Sequence, residues 1–442
     1  MKHSKIALVV STALLASSSV YAADAVNNDN YADAVQNGNK NTAVIQQNVN
    51  SHDNSSKIRQ TSQDPAFKVR NTATSIQENT DGATSNILQN GNGNTAAVTQ
   101  KNSTNMAEVD VDSVGNKNEA YVTQQNYTRK GAFAQVQQHG NRNLATITQR
   151  DADSSTSIVD QNGSGDTATI ENIWSDSAYA KIIQNTGDKN NAYIKQDDSD
   201  GAIANLTQTG ANNDGDITQR TNLKSINTTE SKLVQNGNDN VGVINQFASS
   251  SYAKVEQYSQ NDKTTVNQEG FNQRAIVKQT SDLGGRNEVS LTQIGNDNYA
   301  GVRTLEGVGS TVTINQDSSG NQIANRVNGE GFGATTRGSH TTLDITQTGG
   351  DNNFARVDIA ASNSDVDLMQ TGSNHYATIS GQAGDRDDID LVQSGDNHFA
   401  TVSVDAGSVH NIQVTQNQSN NYATVVSNGS NNSVTIMQGS AL

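Results

Sequence analysis

The stretch Gln89-Asn-Gly91-Asn-Gly-Asn94-Thr-Ala96-Ala-Val98-Thr-Gln100 contains the pattern that recurs along this chain. With its first Gln as position 0, the pattern places Gly at +2, Asn at +5, Ala at +7, Val at +9 and Gln at +11. Four further copies keep this spacing, with Gly replacing Ala in the last two: Gln36–Gln47, Gln138–Gln149, Gln208–Gln219 and Gln235–Gln246. A pattern repeated at this period indicates a stacked repeat architecture.

Less regular copies extend the pattern over residues 36–442. They begin near Gln60, Ser113, Gln161, Asn185, Gln257, Gln293, Gln316, Gln347, Gln370, Gln393 and Gln416, and a half-copy ends at Gln438. The total is about sixteen copies, spaced roughly 22 to 31 residues apart and most often 23. Gln268 opens an overlapping frame, so the phase of the repeat between residues 257 and 279 stays open.

Within each copy the apolar residues alternate with polar ones. Val434 and Ile436 precede Gln438 with the same parity, and the +7, +9 and +11 positions also share a parity. Alternation of this kind predicts β-strands with one face turned inward. Gly at +2 and Asn at +5 tolerate positive φ and predict a tight turn between the strands. The sequence therefore predicts an all-β fold, a β-solenoid or cross-β stack of about sixteen strand–turn–strand repeats.

A Gln at the end of each inward face can donate to one neighbouring rung and accept from the other, so its buried amide is not left unpaired. The predicted ladder residues are Gln36, Gln47, Gln89, Gln100, Gln138, Gln149, Gln161, Gln208, Gln219, Gln235, Gln246, Gln293, Gln316, Gln347, Gln370, Gln393, Gln416 and Gln438. The predicted turn and ladder asparagines are Asn41, Asn94, Asn143, Asn213, Asn240 and Asn298.

The composition supports a repetitive polar fold over conventional globular domains. Only 32% of the 442 residues are hydrophobic and 4% are aromatic, and the net charge is −16. Such a chain cannot bury a conventional core and is either disordered or stacked; the periodicity favours stacking. The negative charge argues against nucleic acid as a partner. The absence of cysteine excludes disulfide bonds.

The N-terminus has the features of a secretory signal peptide. Lys2 and Lys5 precede an apolar run of about ten residues, and Val20-Tyr21-Ala22 fits a cleavage site. We therefore expect residues 1–22 to be a signal peptide, residues 23–35 to be an N-terminal segment that could serve secretion targeting, and residues 36–442 to form the repeat region. The apolar run is too short for a permanent membrane span.

No arrangement of residues predicts catalysis, and we expect no catalytic, cofactor-binding or metal-binding residues. Three further groups stand out by register. Tyr376, Phe399 and Tyr422 recur 23 residues apart and should stack as an outward aromatic stripe. His375 and His398 occupy the Asn position of adjacent copies and are expected to be solvated turn residues. A run of aspartates, Asp385, Asp387, Asp388 and Asp390, is expected to point outward, either as solvating residues or as gatekeepers against premature assembly.

The frame Gln-x-Gly-x-x-Asn-x-Ala-x-x-x-Gln, repeated at about 23 residues behind a signal peptide, resembles the curlin repeat of the curli functional-amyloid subunits. The resemblance implies a subunit that leaves the cell unfolded through an outer-membrane secretion channel. It also implies polymerisation on a nucleator subunit into extracellular fibres, attached to the surface of a Gram-negative-type bacterium, that mediate biofilm adhesion. The alternative is a monomeric, capped β-solenoid that acts as a surface adhesin or binding protein.

Several copies depart from this frame. Ser113 replaces the first Gln, Asp166 replaces the Asn, and Asn172 replaces the last Gln. Pro65 falls where a strand would be expected, and proline is disfavoured in paired strands. Glycines at 329, 331, 333 and 338 predict a loop near residues 328–340. The last copy ends within four residues of Leu442 without a recognisable cap, which favours an open, growing end.

Overall fold

The computed structural model describes residues 9–12, 19–22, 30–38, 40–47, 51–62, 70–102, 107–126, 131–221, 229–280, 284–325, 331–382, 384–405 and 407–439. All regular secondary structure within these ranges is β-strand, which confirms the predicted all-β class. No helix in them is long and apolar enough to cross a membrane. Pro65 lies outside the described residues.

The first half of the chain contributes eighteen strands. They are β1 (Val9–Thr12), β2 (Ser19–Ala22), β3 (Tyr31–Asn37), β4 (Thr42–Gln47), β5 (Ser55–Thr61), β6 (Thr72–Glu78), β7 (Thr84–Asn92), β8 (Thr95–Lys101), β9 (Glu108–Asn116), β10 (Glu119–Gln125), β11 (Phe133–Asn141), β12 (Leu144–Arg150), β13 (Thr156–Gln161), β14 (Thr167–Ile173), β15 (Tyr179–Gln184), β16 (Asn191–Asp197), β17 (Ile203–Thr209) and β18 (Asp214–Arg220).

The second half contributes nineteen more. They are β19 (Glu230–Asn236), β20 (Val241–Ser249), β21 (Tyr252–Gln257), β22 (Lys263–Phe271), β23 (Arg274–Thr280), β24 (Glu288–Asn296), β25 (Tyr299–Leu305), β26 (Thr311–Asp317), β27 (Gln322–Ile323), β28 (Ala334–Thr336), β29 (Thr342–Thr348), β30 (Phe354–Ile359), β31 (Asp365–Ser373), β32 (Tyr376–Gly381), β33 (Asp385–Asp396), β34 (Phe399–Val404), β35 (Ser408–Ser419), β36 (Tyr422–Ser427) and β37 (Asn432–Gln438).

The chain divides into two compact units, Met1–Thr228 and Thr229–Leu442. In the first unit the odd-numbered strands β1 to β17 pair in parallel as one sheet. The even-numbered strands β2 to β18 form a second parallel sheet. Each turn of the chain adds one strand to each sheet, so this unit is a β-solenoid.

The second unit has the same construction. One sheet runs through β19, β21, β23, β25, β27 with β28, β30, β32, β34 and β36. The other runs through β20, β22, β24, β26, β29, β31, β33, β35 and β37. The two units together contain the predicted sixteen or so repeats, so the predicted solenoid is confirmed.

The strands are paired in register, with identical repeat positions side by side. Ala120, Val122 and Gln124 of β10 pair with Ala145, Ile147 and Gln149 of β12. These inward positions are essentially inaccessible to solvent, whereas the intervening positions are partly exposed. The alternation predicted from the sequence therefore produces a thin core of Ala, Val and Ile between two sheets, with Gln at the end of each of these strands.

The geometry of the turns explains why Gly occupies +2. It also shows that the Asn at +5 does not have the positive φ predicted for it. Gly115 has φ of 117°, and a Cβ there would lie 1.8 Å from the carbonyl oxygen of Gly140 in the next rung. A residue with a Cβ is therefore excluded at this position, both by contact with the neighbouring backbone and by the positive φ. The second positive φ falls at +4, as at Arg142 (61°) and Asp239 (58°), and not at the Asn of +5.

The predicted loop near 328–340 is partly a strand. Gly329 lies outside the described residues, but Ala334–Thr336 forms β28, which pairs with both β25 and β30. Together with β27 it fills one rung position, because both short strands pair with the same two neighbours. The extra residues are therefore an insertion within one rung that leaves the stack continuous on either side.

The overlapping frames between residues 257 and 279 reflect a change in which turn contains the Gly-Asn pattern. The turn after Gln235 connects β19 to β20, in the opposite sheet. The turn after Gln293 connects β24 to β25, which lies in the same sheet as β19. Between them Gln246, Gln257, Gln268 and Gln279 end successive strands, so both frames are correct.

Two of the N-terminal predictions fall on partly described residues. Val9–Thr12 and Ser19–Ala22 are strands that pair with β3 and β4, and cleavage of residues 1–22 stays a prediction. β3 begins at Tyr31, within the segment 23–35 that precedes the predicted repeat region.

The close approach at +2 makes a testable prediction. Gly115→Ala should lower the free energy of unfolding by about 2–4 kcal/mol, because the methyl group meets a backbone carbonyl and the backbone is strained. Gly201→Ala is the matched control, because Gly201 also has a positive φ (67°) but has no atom within 4 Å of the added methyl position. Its cost should be only about 1 kcal/mol. Equal urea midpoints for the two variants would contradict the explanation from rung contact.

Candidate functional site: the buried glutamine and asparagine ladders

The glutamines at the strand ends form continuous hydrogen-bond ladders inside the solenoid. In the first sheet of the first unit, Gln36 Nε2 donates to Gln60 Oε1 (2.8 Å), and Gln60 donates to Gln89 (2.8 Å). The ladder resumes from Gln138 through Gln161 and Gln184 to Gln208 with distances of 2.9–3.0 Å. In the second sheet it runs from Gln47 through Gln77, Gln100 and Gln124 to Gln149. Gln196 donates to Gln219.

The second unit contains the longest ladder. Nine side chains follow one another with donor–acceptor distances of 2.7–2.9 Å: Gln246, Gln268, Gln293, Gln316, Gln347, Gln370, Gln393, Gln416 and Gln438. A shorter ladder in the other sheet joins Gln235, Gln257 and Gln279. Every predicted ladder Gln is therefore placed at the inward end of a strand.

Most of these amides also connect the two sheets. Gln416 Nε2 donates a second hydrogen bond to the carbonyl of Phe399 (3.1 Å), at the start of the facing strand. Gln393 makes the same bond to Tyr376 (3.2 Å), and Gln138 to Glu119 (2.9 Å). One proton of the amide thus serves the ladder and the other the opposite sheet, so a buried group that would cost a few kcal/mol unpaired is satisfied.

The ladders have a direction. In every Gln–Gln bond given above the earlier residue in the chain donates and the later one accepts. In the sheet of β3, Gln36 Oε1 has no donor among the described residues, although β1 pairs beside it with Thr12 opposite Gln36. In the sheet of β37, Gln438 accepts from Gln416 and donates one proton to the carbonyl of Tyr422 (2.8 Å). A strand added beyond β37 would therefore meet the second amide proton of Gln438.

The asparagines at +5 form a second ladder that holds the turns together. Asn94 Oδ1 accepts the backbone N–H of Asn118 (3.0 Å), and its Nδ2 donates to the carbonyl of Gly115 (2.9 Å). Asn118 repeats both bonds with the N–H of Asn143 and the carbonyl of Gly140. The Asn at +5 is therefore needed for its buried side chain, which binds the next turn.

The six predicted asparagines are all buried, but they are not equally well bonded. Asn143, Asn240 and Asn298 bond to the turn of the next rung as Asn94 does. Asn213 donates to Asn190 Oδ1 through both its backbone N–H (3.0 Å) and its Nδ2 (3.1 Å). Asn41 donates to Asn37 within its own turn, and its Oδ1 has no partner among the described residues.

Comparison with known families agrees with this geometry. The family model described as the Curlin associated repeat matches residues 132–163, 284–317 and 384–417. The matches cover β11 to β13, β24 to β26, and β33, β34 and most of β35. A Gln ends the inward face of each of these strands except β25 and β34, where Thr304 and Val404 take its place. The chain carries curlin repeats. No curated protein sequence matches the chain significantly. Curlin repeats belong to a structural, non-enzymatic family.

Two curlin repeats interrupt the Gln ladders in different ways. Ser113 keeps one bond, because its Oγ donates to Gln138 Oε1 (3.0 Å). Asn172 pairs in register with Gln149 and Gln196, but it is one methylene shorter than Gln. Neither polar atom of its side-chain amide has a hydrogen-bond partner in the described part of the chain. Gln149 instead donates to Ser157 Oγ (3.0 Å), so the ladder of the second sheet is broken at this rung.

Asp166 interrupts the Asn ladder with a carboxylate. Its Oδ1 accepts the N–H of Asn190 (2.9 Å), as an Asn would, but its Oδ2 is buried without a partner. Burial raises its pKa to about 6. The hydrogen bonds from Asn190 lower the pKa, but by less than burial raises it. The carboxylate lacks the donor through which Asn143 and Asn190 reach the glycine carbonyl of the next turn.

His375 and His398 are buried, so the prediction that they are solvated turn residues is wrong. Each is 1% exposed, and their rings stack with centroids 5.0 Å apart. Nδ1 of His375 accepts the N–H of His398 (3.4 Å), and Nδ1 of His398 accepts the N–H of Asn421 (3.2 Å). Each Nε2 lies by a carbonyl oxygen of its own turn, at 3.2 Å and 3.0 Å. With Nδ1 accepting the N–H of the next turn, each ring takes over the acceptor role of the Asn, and burial lowers the pKa of His375.

Of the four aspartates predicted to point outward, Asp387 is an exception. It is 2% exposed, and it pairs in register with the buried His410. Burial raises the pKa of Asp387, and the nearby His410 acts against this. Although Asp385 and Asp387 are two residues apart in β33, Asp385 is exposed, whereas Asp387 is buried on the same inward face as Ile389. Within the described ranges no group of three or more His, Cys, Asp or Glu side chains is placed to hold a metal ion.

The predicted aromatic stripe is confirmed and is one ring longer. Tyr376, Phe399 and Tyr422 stack with centroids 4.7 and 4.8 Å apart, and Phe354 adds a ring at 4.9 Å from Tyr376. These distances equal the spacing between rungs in cross-β structures.

Eight ladder glutamines were absent from the predicted set: Gln60, Gln77, Gln124, Gln184, Gln196, Gln257, Gln268 and Gln279. Most of them end an alternating run such as Ala120-Tyr-Val122-Thr-Gln124 or Ala192-Tyr-Ile194-Lys-Gln196. Gln184 and not Asn185 occupies the ladder in its repeat. The signal was therefore the inward parity of the strand, which identifies the Gln even where another residue, such as Ser113 or Asn185, replaces the first Gln of the frame.

The carboxylate in the Asn ladder makes a pH-dependent prediction. Because the pKa of Asp166 is raised above its ordinary value of 3.8, ionisation destabilises the fold, fully above about pH 6 and not at all below about pH 3.8. Asp166→Asn should therefore raise the free energy of unfolding by about 1–3 kcal/mol at pH 8, with a smaller gain at pH 4.

The control is Asp239→Asn, which removes the same charge from an exposed turn residue away from Asp166 and should change stability by less than about 0.5 kcal/mol. Urea unfolding of the soluble protein at both pH values measures the differences. A gain for Asp166→Asn that is the same at pH 4 and pH 8 would contradict the assignment to a buried charge.

Proposed function

We propose that this curlin-repeat protein is a secreted structural subunit that polymerises by templated stacking into extracellular, curli-like amyloid fibres. In this proposal the fibres belong to the biofilm matrix and mediate adhesion and aggregation. The observation that carries the proposal is the state of the last described rung, in which an in-register polar ladder and an apolar face stay open to a further strand.

β37 pairs with β35 on one side and with no described strand on the other. Its inward residues Val434, Ile436 and Gln438 are half-exposed, whereas the residues one rung earlier, Ile412, Val414 and Gln416, are fully buried. A strand added beyond β37 would cover the apolar side chains and accept the ladder bond. Apolar burial contributes about 25 cal/mol per Å², so such an addition is favourable.

The strand to be added need only match the register, and every rung of a second copy does so. Parallel pairing joins identical repeat positions throughout both units, so a rung of one copy presents the same Ala, Val or Ile, and Gln positions as a rung of another. Because every Gln–Gln bond given above runs from the earlier residue to the later one, a copy added beyond β37 would continue the ladder in the same direction, so copies would add head to tail. Growth of this kind is the basis of cross-β fibres.

Secretion, partners and location rest on the curlin repeats and on the predicted signal peptide. The family is associated with extracellular curli fibres. We therefore propose a nucleator subunit that starts the stack, an outer-membrane secretion channel and a place on the surface of a Gram-negative-type bacterium.

The proposal is tested by thioflavin-T kinetics on the purified chain from Ala23 to Leu442, with and without preformed seeds. A lag that seeds abolish, with fibres that diffract at about 4.7 Å, supports a self-templating subunit. A folded β-rich protein that stays monomeric for days would overturn it and favour the alternative, a monomeric capped solenoid that acts as an adhesin.

The open ladder predicts which side chains control growth. The double variant Gln416→Ala, Gln438→Ala should elongate from wild-type seeds about tenfold more slowly, because each lost amide leaves a partner unsatisfied, at about 1.4 kcal/mol for a factor of ten. The control is Thr424→Ala, Thr435→Ala, which changes exposed, outward side chains in the last two described strands. Elongation rates that fall equally in both variants would exclude the ladder as the cause.

A further inference from the structure

The two outward faces of the second unit differ in charge. On the sheet that contains β21, β23 and β25, the outward side chains Lys254, Arg274, Lys278 and Arg303 form a basic patch over three successive rungs. Glu256 is the one carboxylate on these three described strands, and it pairs with Lys254 at 2.7 Å. Arg274 lies over the ring of Tyr252, with its guanidinium carbon 5.2 Å from the ring centroid. The face is therefore positively charged.

The opposite sheet carries an acidic patch. Asp344, Asp367 and Asp390 pair in register on β29, β31 and β33, and Asp365 pairs with Asp388 beside them. All five are at least partly exposed, and Arg386, at the start of β33, is the one Lys or Arg in these three strands. Like charges directly opposite one another destabilise a sheet. The neighbouring carboxylates add to the effect of burial in raising the pKa of Asp367 and of Asp388.

The acidic patch lies beside an apolar strip that suits long cationic side chains. Met369 and Val392 line a shallow groove of about 480 Å³ together with Asp344, Asp367 and Asp390. Met369 is 45% exposed. Lys and Arg can lay their methylene stems along such a strip while their charged ends reach the carboxylates. The groove therefore fits the Lys254, Arg274, Lys278 and Arg303 side chains of another molecule in chemistry and in length.

The two patches cannot meet within one molecule, because they lie on opposite sides of the same core. They can meet between molecules, since both cover three rungs and repeat at the same rung spacing. Basic strands β21, β23 and β25 belong to the three rungs that precede those of β29, β31 and β33. Two parallel copies shifted by three rungs, about 14 Å at 4.7–4.8 Å per rung, would place patch against patch.

We propose that the acidic patch of one copy docks sideways on the basic patch of a second copy of this chain. Because the two patches differ, the contact is heterologous and leaves one patch of each copy unused, so it continues as an open lateral array. This goes beyond growth along the ladder: it concerns how columns of rungs associate side by side, and it applies equally to fibres and to soluble molecules.

Charge exchange tests the proposal on the protein as purified. Asp367→Lys with Asp390→Lys should reduce lateral association about tenfold, because attraction is replaced by repulsion over the patch. Adding Arg274→Glu and Lys278→Glu to the same chain restores opposite charges and should restore association. The control, Thr265→Lys with Ser290→Lys, adds two cations to outward positions of the same sheet at least two rungs from Asp344 and should have little effect. Bundle width in electron micrographs and light scattering measure the association.

Wild-type association should also weaken in about 1 M NaCl, where the screening length falls to about 3 Å. Elongation from seeds, followed by thioflavin T, should be unchanged in all variants, which separates this proposal from the proposed growth along the ladder. If the protein forms no fibres, the same variants are compared by sedimentation of the soluble protein at low and high salt. The proposal would be overturned by association that is insensitive to salt and to charge reversal. It would also be overturned if the variant with all four substitutions did not regain lateral association.

Discussion

A buried glutamine amide has to find both a donor and an acceptor, and in this solenoid the equivalent amides of the neighbouring rungs supply them along most of each ladder. That requirement fixes the rest of the structure. The strands must be parallel and in register, because a shift by one residue would turn Gln416 from the core to the surface. Rungs must keep a constant spacing, because the amide bonds of 2.7–2.9 Å in the long ladder allow little variation. The glycine at +2 follows from the same constraint, since turns stacked this closely leave no room for a side chain.

The ladders also show how much irregularity the stack tolerates. Ser113 and Asn172 each replace a Gln, yet the strands on either side keep their register. The His375–His398 pair replaces two asparagines and preserves the bonds to the next turn through the neutral ring nitrogens. Each rung is held by several independent contacts, namely two strand pairings, an apolar core and the two ladders. A local defect therefore costs stability in its own rung without dissolving the neighbours.

The fold could be predicted from the sequence because period-two alternation and the 23-residue repeat both depend on local spacing. The Gln positions followed from the same parity, and missed ones such as Gln124 and Gln196 end frames whose first Gln is replaced, by Ser113 and Asn185. Predictions failed where the inward face could not be read from local spacing. Asn94 resembles a turn residue in sequence, but the positive φ belongs to its predecessor and its amide is buried. Asp387 and His375 look solvated by type, and only the register of the adjacent rungs places them inside.

The most direct test of the central claim is the structure of the assembled fibre by electron cryomicroscopy, read at the junction between two subunits. The account predicts parallel, in-register strands across the junction, an unchanged rung spacing of about 4.8 Å, and the amide of Gln438 donating to an inward Gln of the next copy. A junction with antiparallel strands, a gap in the rungs or the ladder glutamines facing solvent would contradict it.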